Sequence, residues 1–434
     1  MTGSTRRDVL AAVGVALGGG LAGCNRLREG DDTRPRFDPS EMEAILTADP
    51  PEVERPAPVQ PPGSAIDAGL ERVDELLGAV PSSISVEQVP NGVVREEIED
   101  RRERGEAERV AVETAPDRFR GTLQLRDARG ASREAAVTYA AVGEDLAADV
   151  ESERGRLRMR VGEELAGVEY VGDDVFRTLL LAARQEELLL GTQRRLRRGL
   201  RPAEPDVLEV GDLAGDVEYT DATIDAVHAL AERHAETVGA GSDFRIAFET
   251  ALERSTMTLD LADVPSTDTT PEDLVGAAAD RMSVEHVVAH ALRAVNRHSE
   301  SIGPLFEADR LAAGLDEAYL LERDLRAFEA VLQRVDDGEF PELEAAEQVR
   351  AEREAAIEAA DQVVGSIPDR SPGADVLART VDQFGWIEQR IDYRLEQDRS
   401  STLSMEYAQY AHLRARLEAL PEAIDAVRGR LDAR

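Results

Sequence analysis

Lysine is missing from this sequence. All 51 basic residues are arginine, they face 88 acids, and the formal charge is −37. A surface so acidic disfavours nucleic acid and anionic lipid, whose binding depends on cationic side chains. There is one cysteine, Cys24, which excludes an intramolecular disulfide and a cysteine-based zinc site. Aromatics amount to only 4%, so alanine and the aliphatic residues must fill the core. That suits closely packed helices and not a sandwich or barrel. No glycine-rich phosphate loop and no Gly-x-Ser-x-Gly elbow occurs, and the acids are too numerous to single out a catalytic pair. No catalytic residue and no cofactor is assigned on this evidence.

What the chain does have begins at its first residues. Arg6 and Arg7 form a charged start, followed by Val9 and Leu10 and a modestly apolar run from Ala11 to Gly20. The run is too short and too rich in glycine to span a membrane. Leu21, Ala22 and Gly23 then lead to Cys24. Small residues before a cysteine let a signal peptidase hold the chain extended, and the thiol is a nucleophile that accepts lipid. Thr5-Arg6-Arg7-Asp8-Val9-Leu10 resembles a twin-arginine export motif, and Leu21-Ala22-Gly23-Cys24 resembles a lipobox. Together they are similar to the signal peptide of haloarchaeal twin-arginine lipoproteins. The acid excess, the missing lysine and the abundant Ala, Val and Arg also resemble extremely halophilic proteins. This resemblance implies cleavage before Cys24, lipidation of its sulfur and export of a folded protein by the twin-arginine translocase. The expected location is the extracytoplasmic face of the membrane, held by lipidated Cys24.

The expected organisation is a signal peptide over 1–23, a proline-rich tether over 24–62, and helical regions over 63–262 and 263–434. Eight of the 20 prolines lie between Asn25 and Pro62, a density that favours extended conformers and a stalk. Beyond Pro62 the apolar spacing is helical. Ile66, Leu70, Val73 and Leu77 form one stripe, and Leu321, Leu325, Phe328, Leu332 and Val335 form another. Thr270-Pro271-Glu272-Asp273 has an N-cap, a first-turn proline and acids against the helix dipole. The expected fold is all-α, an antiparallel bundle or irregular stacked hairpins, with a soft interruption over 261–270.

Three constellations stand out. His286 and His290 are four apart and able to reach one metal from one helix face. However, they lie nearly opposite the stripe Val284, Val288, Ala291 and Val295, beside Arg293 and Arg297, which reads as a solvated polar face. Arg194, Arg195, Arg197, Arg198 and Arg201 cluster at a helix end, where they complement the dipole with Gly199 as terminator. That cluster also offers a basic spot for an anionic partner. Trp386, Arg390 and Tyr393 share a second face of their helix, either as packing or as a recognition patch. His234 reads as a hydrogen-bonded edge histidine, and His412 shows no acid spacing that suggests a site. The expected role is a non-enzymatic binding or scaffold module of the cell envelope with an unknown envelope protein or polymer as partner. The rival is a surface metal- or cofactor-handling protein or enzyme using His286 and His290.

Overall fold

The computed structural model describes residues 35–200, 205–261 and 264–432. Arg6, Arg7, Leu21, Ala22, Gly23 and Cys24 lie outside the described residues, as does Arg201. The body is all-α, and its helices form where apolar residues recur at three- and four-residue steps. A short α1 (Pro39–Glu43) precedes α2 (Gly63–Gly78), α3 (Gly92–Glu113), α4 (Arg118–Ala141), α5 (Ala147–Ala166), α6 (Val175–Arg195) and α7 (Val207–Val238). After these come α8 (Arg245–Leu261), α9 (Pro271–Val275), α10 (Met282–Glu307), α11 (Leu311–Asp336) and α12 (Ala346–Val363). The chain finishes with α13 (Pro372–Val381), α14 (Gln383–Glu396) and α15 (Ser404–Asp432). No described helix is long and apolar enough to cross a membrane.

In the first half, α4 packs against α2, α3 and α7, and charge replaces much of the missing apolar bulk. The very acidic and basic α3 has no continuous stripe because it buries a guanidinium. Arg101 donates to Thr138 Oγ1 at 2.8 Å and to Asp212 Oδ1 at 2.7 Å. The α4–α7 crossing is close because both helices present glycine there. A Cβ on Gly215 would sit 3.1 Å from the carbonyl oxygen of Gly130. The second half has one large core, in which Val284, Val288, Ala291 and Val295 of α10 meet α11 and α15. The expected cap at Thr270 is present: its Oγ1 accepts from Asp273 N–H and its own N–H donates to Asp273 Oδ2.

The two halves share a seam. Glu186 of α6 is fully buried, accepting from Tyr170 Oη–H at 2.7 Å and from the Ala313 N–H of α11 at 2.8 Å. Burial pushes its carboxyl above the usual range. A two-residue antiparallel ladder, β1 (Val171–Gly172) with β2 (Ser242–Asp243), closes the junction. The expected interruption over 261–270 is internal to the second half, because α8 already packs on α11 and α15.

The tether expected over 24–62 needs correction from Phe37 onward. Phe37 pairs with Ser401 in an antiparallel bridge, and Met42 and Ile45 are fully buried in the second-half core. Arg55 then holds Asp375 through two hydrogen bonds, and Gln60 Oε1 accepts from the Phe119 N–H of α4. Proline density keeps much of this segment extended, but α1 and the 3-10 turn Ala44–Leu46 that follows it interrupt the extended chain and carry Met42 and Ile45 into the core. The segment is a strap across both halves.

Candidate functional site

The stripe that buries one side of α10 turns His290, Arg293 and Arg297 the other way. They sit at steps of three and four, one above another. On α15 the apolar run Tyr410, Leu413 and Leu417 is flanked by Gln409, His412 and Arg416 at similar steps. Where these two faces meet, with Arg323 of α11, Arg379 of α13 and Trp386 of α14, they enclose a cleft of about 500 Å³. Five arginines and three histidines line it, in a protein whose overall charge is strongly negative.

Its floor is an ion-pair node. Asp324 is fully buried and accepts from Arg323 Nε at 2.7 Å and from both Nε and Nη2 of Arg416 at 2.9 and 2.8 Å. Burial opposes its charge, yet Arg323 and Arg416 hold the carboxyl well below the usual carboxylate range. Burial also pulls the Arg323 guanidinium down to about 10, which still leaves it charged at neutral pH. Arg379 is engaged by Asp316 and Asp375. His298 pairs with Glu317 through Nδ1 at 2.5 Å. Arg293 and Arg297 differ from these: both are exposed at the mouth, and neither makes a side-chain hydrogen bond or ion pair among the described residues.

Two of the cleft histidines, His290 and His412, are held neutral. Burial, then Arg293 and His286, lowers His290 to about 4, and its Nε2 meets Met405 Sδ at 2.9 Å. Burial and Arg416 push His412 well below its ordinary value. His412 is only 5% exposed, and its Nε2 has no hydrogen-bond partner.

The solvated face expected for His286 and His290 is therefore corrected: both are half-buried, and His290 lines the cleft. The cationic side chains of Arg293, Arg416 and Arg390 surround His290 and repel a metal ion. Among the described residues no group of three His, Cys, Asp or Glu is placed to hold one. Trp386 and Tyr393 are exposed, at 71% and 59%, so their face is not packed against a second neighbour. Trp386 forms a lip of the cleft. Arg390 is tied to Gln409 and to the buried Glu406.

The Arg194, Arg195, Arg197 and Arg198 cluster lies elsewhere, at the end of α6. Arg195 stacks on the Tyr219 ring at 4.0 Å and pairs with Asp216, while Arg194, Arg197 and Arg198 are exposed. Gly199 is not the terminator. Leu196 caps the helix in ordinary right-handed geometry, and its carbonyl accepts from Arg154. His234 does behave as an edge histidine, bonded through Nε2 to the Val171 carbonyl.

Sequence reasoning overlooked Arg323, Arg379 and Arg416, and set aside His412, which the structure places in the cleft. The available signal was a polar row, Gln409, His412 and Arg416, beside an apolar stripe in α15.

Comparison with known proteins finds two matches. Residues 64–241 match a family model described as a domain of unknown function, DUF8262. Residues 245–429 match a second, also a domain of unknown function, DUF8264. No curated protein and no solved structure matches the chain. The matched regions adjoin at 242–244, beside the β1–β2 ladder and about 20 residues ahead of the division expected at 262. The basic cleft falls wholly within the region similar to DUF8264.

Proposed function

We propose that this chain is a non-enzymatic binding module of the cell envelope, anchored at the extracytoplasmic face through lipidated Cys24, and that the basic cleft is where it meets its partner. The observation that carries the reading is the pair Arg293 and Arg297. Two exposed guanidiniums without carboxylate partners among the described residues stand at the mouth of a cleft, on a chain with 88 acids. In an acidic protein, a local excess of positive charge attracts a negatively charged group to that spot. The anchor reading rests on Arg6, Arg7 and the Leu21–Cys24 motif, in which diether lipid on one sulfur supplies two chains.

Crosslinking in intact cells, followed by mass spectrometry, tests the binding role. The expected crosslinks map to helices α10, α14 and α15 around the cleft. Crosslinks confined to other faces would remove the cleft from this role. Cys24→Ser tests the anchor: the variant should leave the membrane fraction, and a variant still processed and lipid-modified like the parent would refute the lipobox.

A further inference from the structure

The cleft says more about its ligand than its sign. Its floor arginines are all ion-paired: Asp324 is shared by Arg323 and Arg416, and Arg379 is engaged by Asp316 and by Asp375, which Arg55 also holds. The unspent charge belongs to Arg293 and Arg297, one turn apart on α10, so the two forks reach a common point. Two free guanidiniums suit a group that carries two negative charges and several oxygens. A phosphate monoester fits, with a charge of about −1.5 to −2 near neutral pH and three strong acceptor oxygens. A carboxylate has one charge and two oxygens and leaves one fork underused. A third contact is already waiting. His412 Nε2 is buried at the cleft without a partner, a cost that a ligand oxygen removes in the tautomer bearing the proton there.

Size points the same way. About 500 Å³ is room for an organic body and not only a bare anion. Leu320, Ala294 and Ile387 give that body apolar wall, and Trp386 gives it an exposed aromatic face at the lip.

We propose that the cleft binds the phosphate monoester end of a small organic molecule, with Arg293, Arg297 and His412 on the phosphate oxygens and Trp386 against the organic part. This rests on the reading of the cleft as the binding site, but not on the anchor. The monoester belongs either to a soluble metabolite or to a lipid headgroup.

Trp386 is the only tryptophan in the chain, so tryptophan emission of the purified full chain, excited where tyrosine does not absorb, reports on the lip of the cleft. The probes are phenyl phosphate, benzoate, and vesicles of phosphatidylcholine with or without phosphatidate, all in high salt. A saturable change is expected with phenyl phosphate or with phosphatidate vesicles, and about tenfold or more weakening in Arg293→Gln/Arg297→Gln. Both arginines are exposed and unpaired, so the variant should keep the parent's circular dichroism. A variant that lost it would be replaced by the single changes, read in the same way. Response to phenyl phosphate supports a soluble ligand, and response to phosphatidate vesicles alone supports a lipid headgroup. Three results would overturn the proposal: no saturable response to either probe, benzoate binding as tightly as phenyl phosphate, or arginine variants that bind like the parent. The crosslinking experiment stands apart from these, since a protein partner at the cleft would appear there even if no phosphate bound.

Discussion

His290 shows how one residue is set by its surroundings. Burial and neighbouring arginines keep it neutral down to about pH 4, whereas an exposed histidine takes its proton near 6.5. As pH falls through 6.5 the unfolded chain binds that proton and the folded chain does not, so stability is lost between about 6.5 and about 4. The linkage amounts to an upper figure on the order of 3 kcal/mol. His290→Gln removes it. Urea denaturation at about pH 7 and about pH 4.5 should therefore show a smaller loss in the variant than in the parent. Equal losses would mean that His290 is solvated. The sequence offered half of this. The apolar stripe of α10 correctly put His290 on the other side, but what covers that side comes from α13, α14 and α15, more than eighty residues away along the chain. Single-helix periodicity has no term for a neighbour, so a lined cleft and a wet face look alike.

Elements with a continuous apolar stripe were legible, and those that bury charge or extended chain were not. Leu321, Phe328 and Val335 marked α11 plainly, and Thr270 marked a helix start. The segment from Arg95 to Arg109 did not announce α3, because beside the single aliphatic Ile98 it buries the stem and guanidinium of Arg101 and the bare backbone at Gly105. The strap was hidden by its prolines, which signal a linker whether or not Met42 and Ile45 find a core. Ile45→Ala separates the two meanings. With Ile45 fully buried, the substitution should cost about 2–4 kcal/mol, seen as a lower midpoint in chemical denaturation. A change within about 0.5 kcal/mol, usual for surface substitutions, would make the segment a free stalk after all.

At the scale of the molecule, the charge of −37 acts as self-repulsion that salt relieves. The Debye length is about 10 Å at 0.1 M and about 3 Å at 1 M. Thermal stability should accordingly rise steeply with KCl up to about 1 M and flatten beyond, since little repulsion is left to screen. A midpoint indifferent to KCl over that range would show that the many arginine–carboxylate pairs already neutralise the surface. Those pairs are unevenly used. In the first half, buried Glu218 is shared by Arg72, Arg129 and Arg133, and small apolar clusters surround the network. The second half relies on one large core and leaves two arginines over at its cleft.

The strap also carries a statement about time. Arg36 donates to the carbonyl of Ser400, 364 residues further along the chain, and Phe37 bridges Ser401 just ahead of the last helix. The ribosome delivers the two sides of this contact 364 residues apart. The strap near Phe37 therefore cannot settle until the segment around Ser401 has been made. Docking of Phe37 thus records that α2 to α14 have already been synthesised, and it lies only 13 residues from Cys24. On the export route proposed from Arg6, Arg7 and Cys24, this late-closing contact would lie close to the signal that a translocase of folded cargo reads.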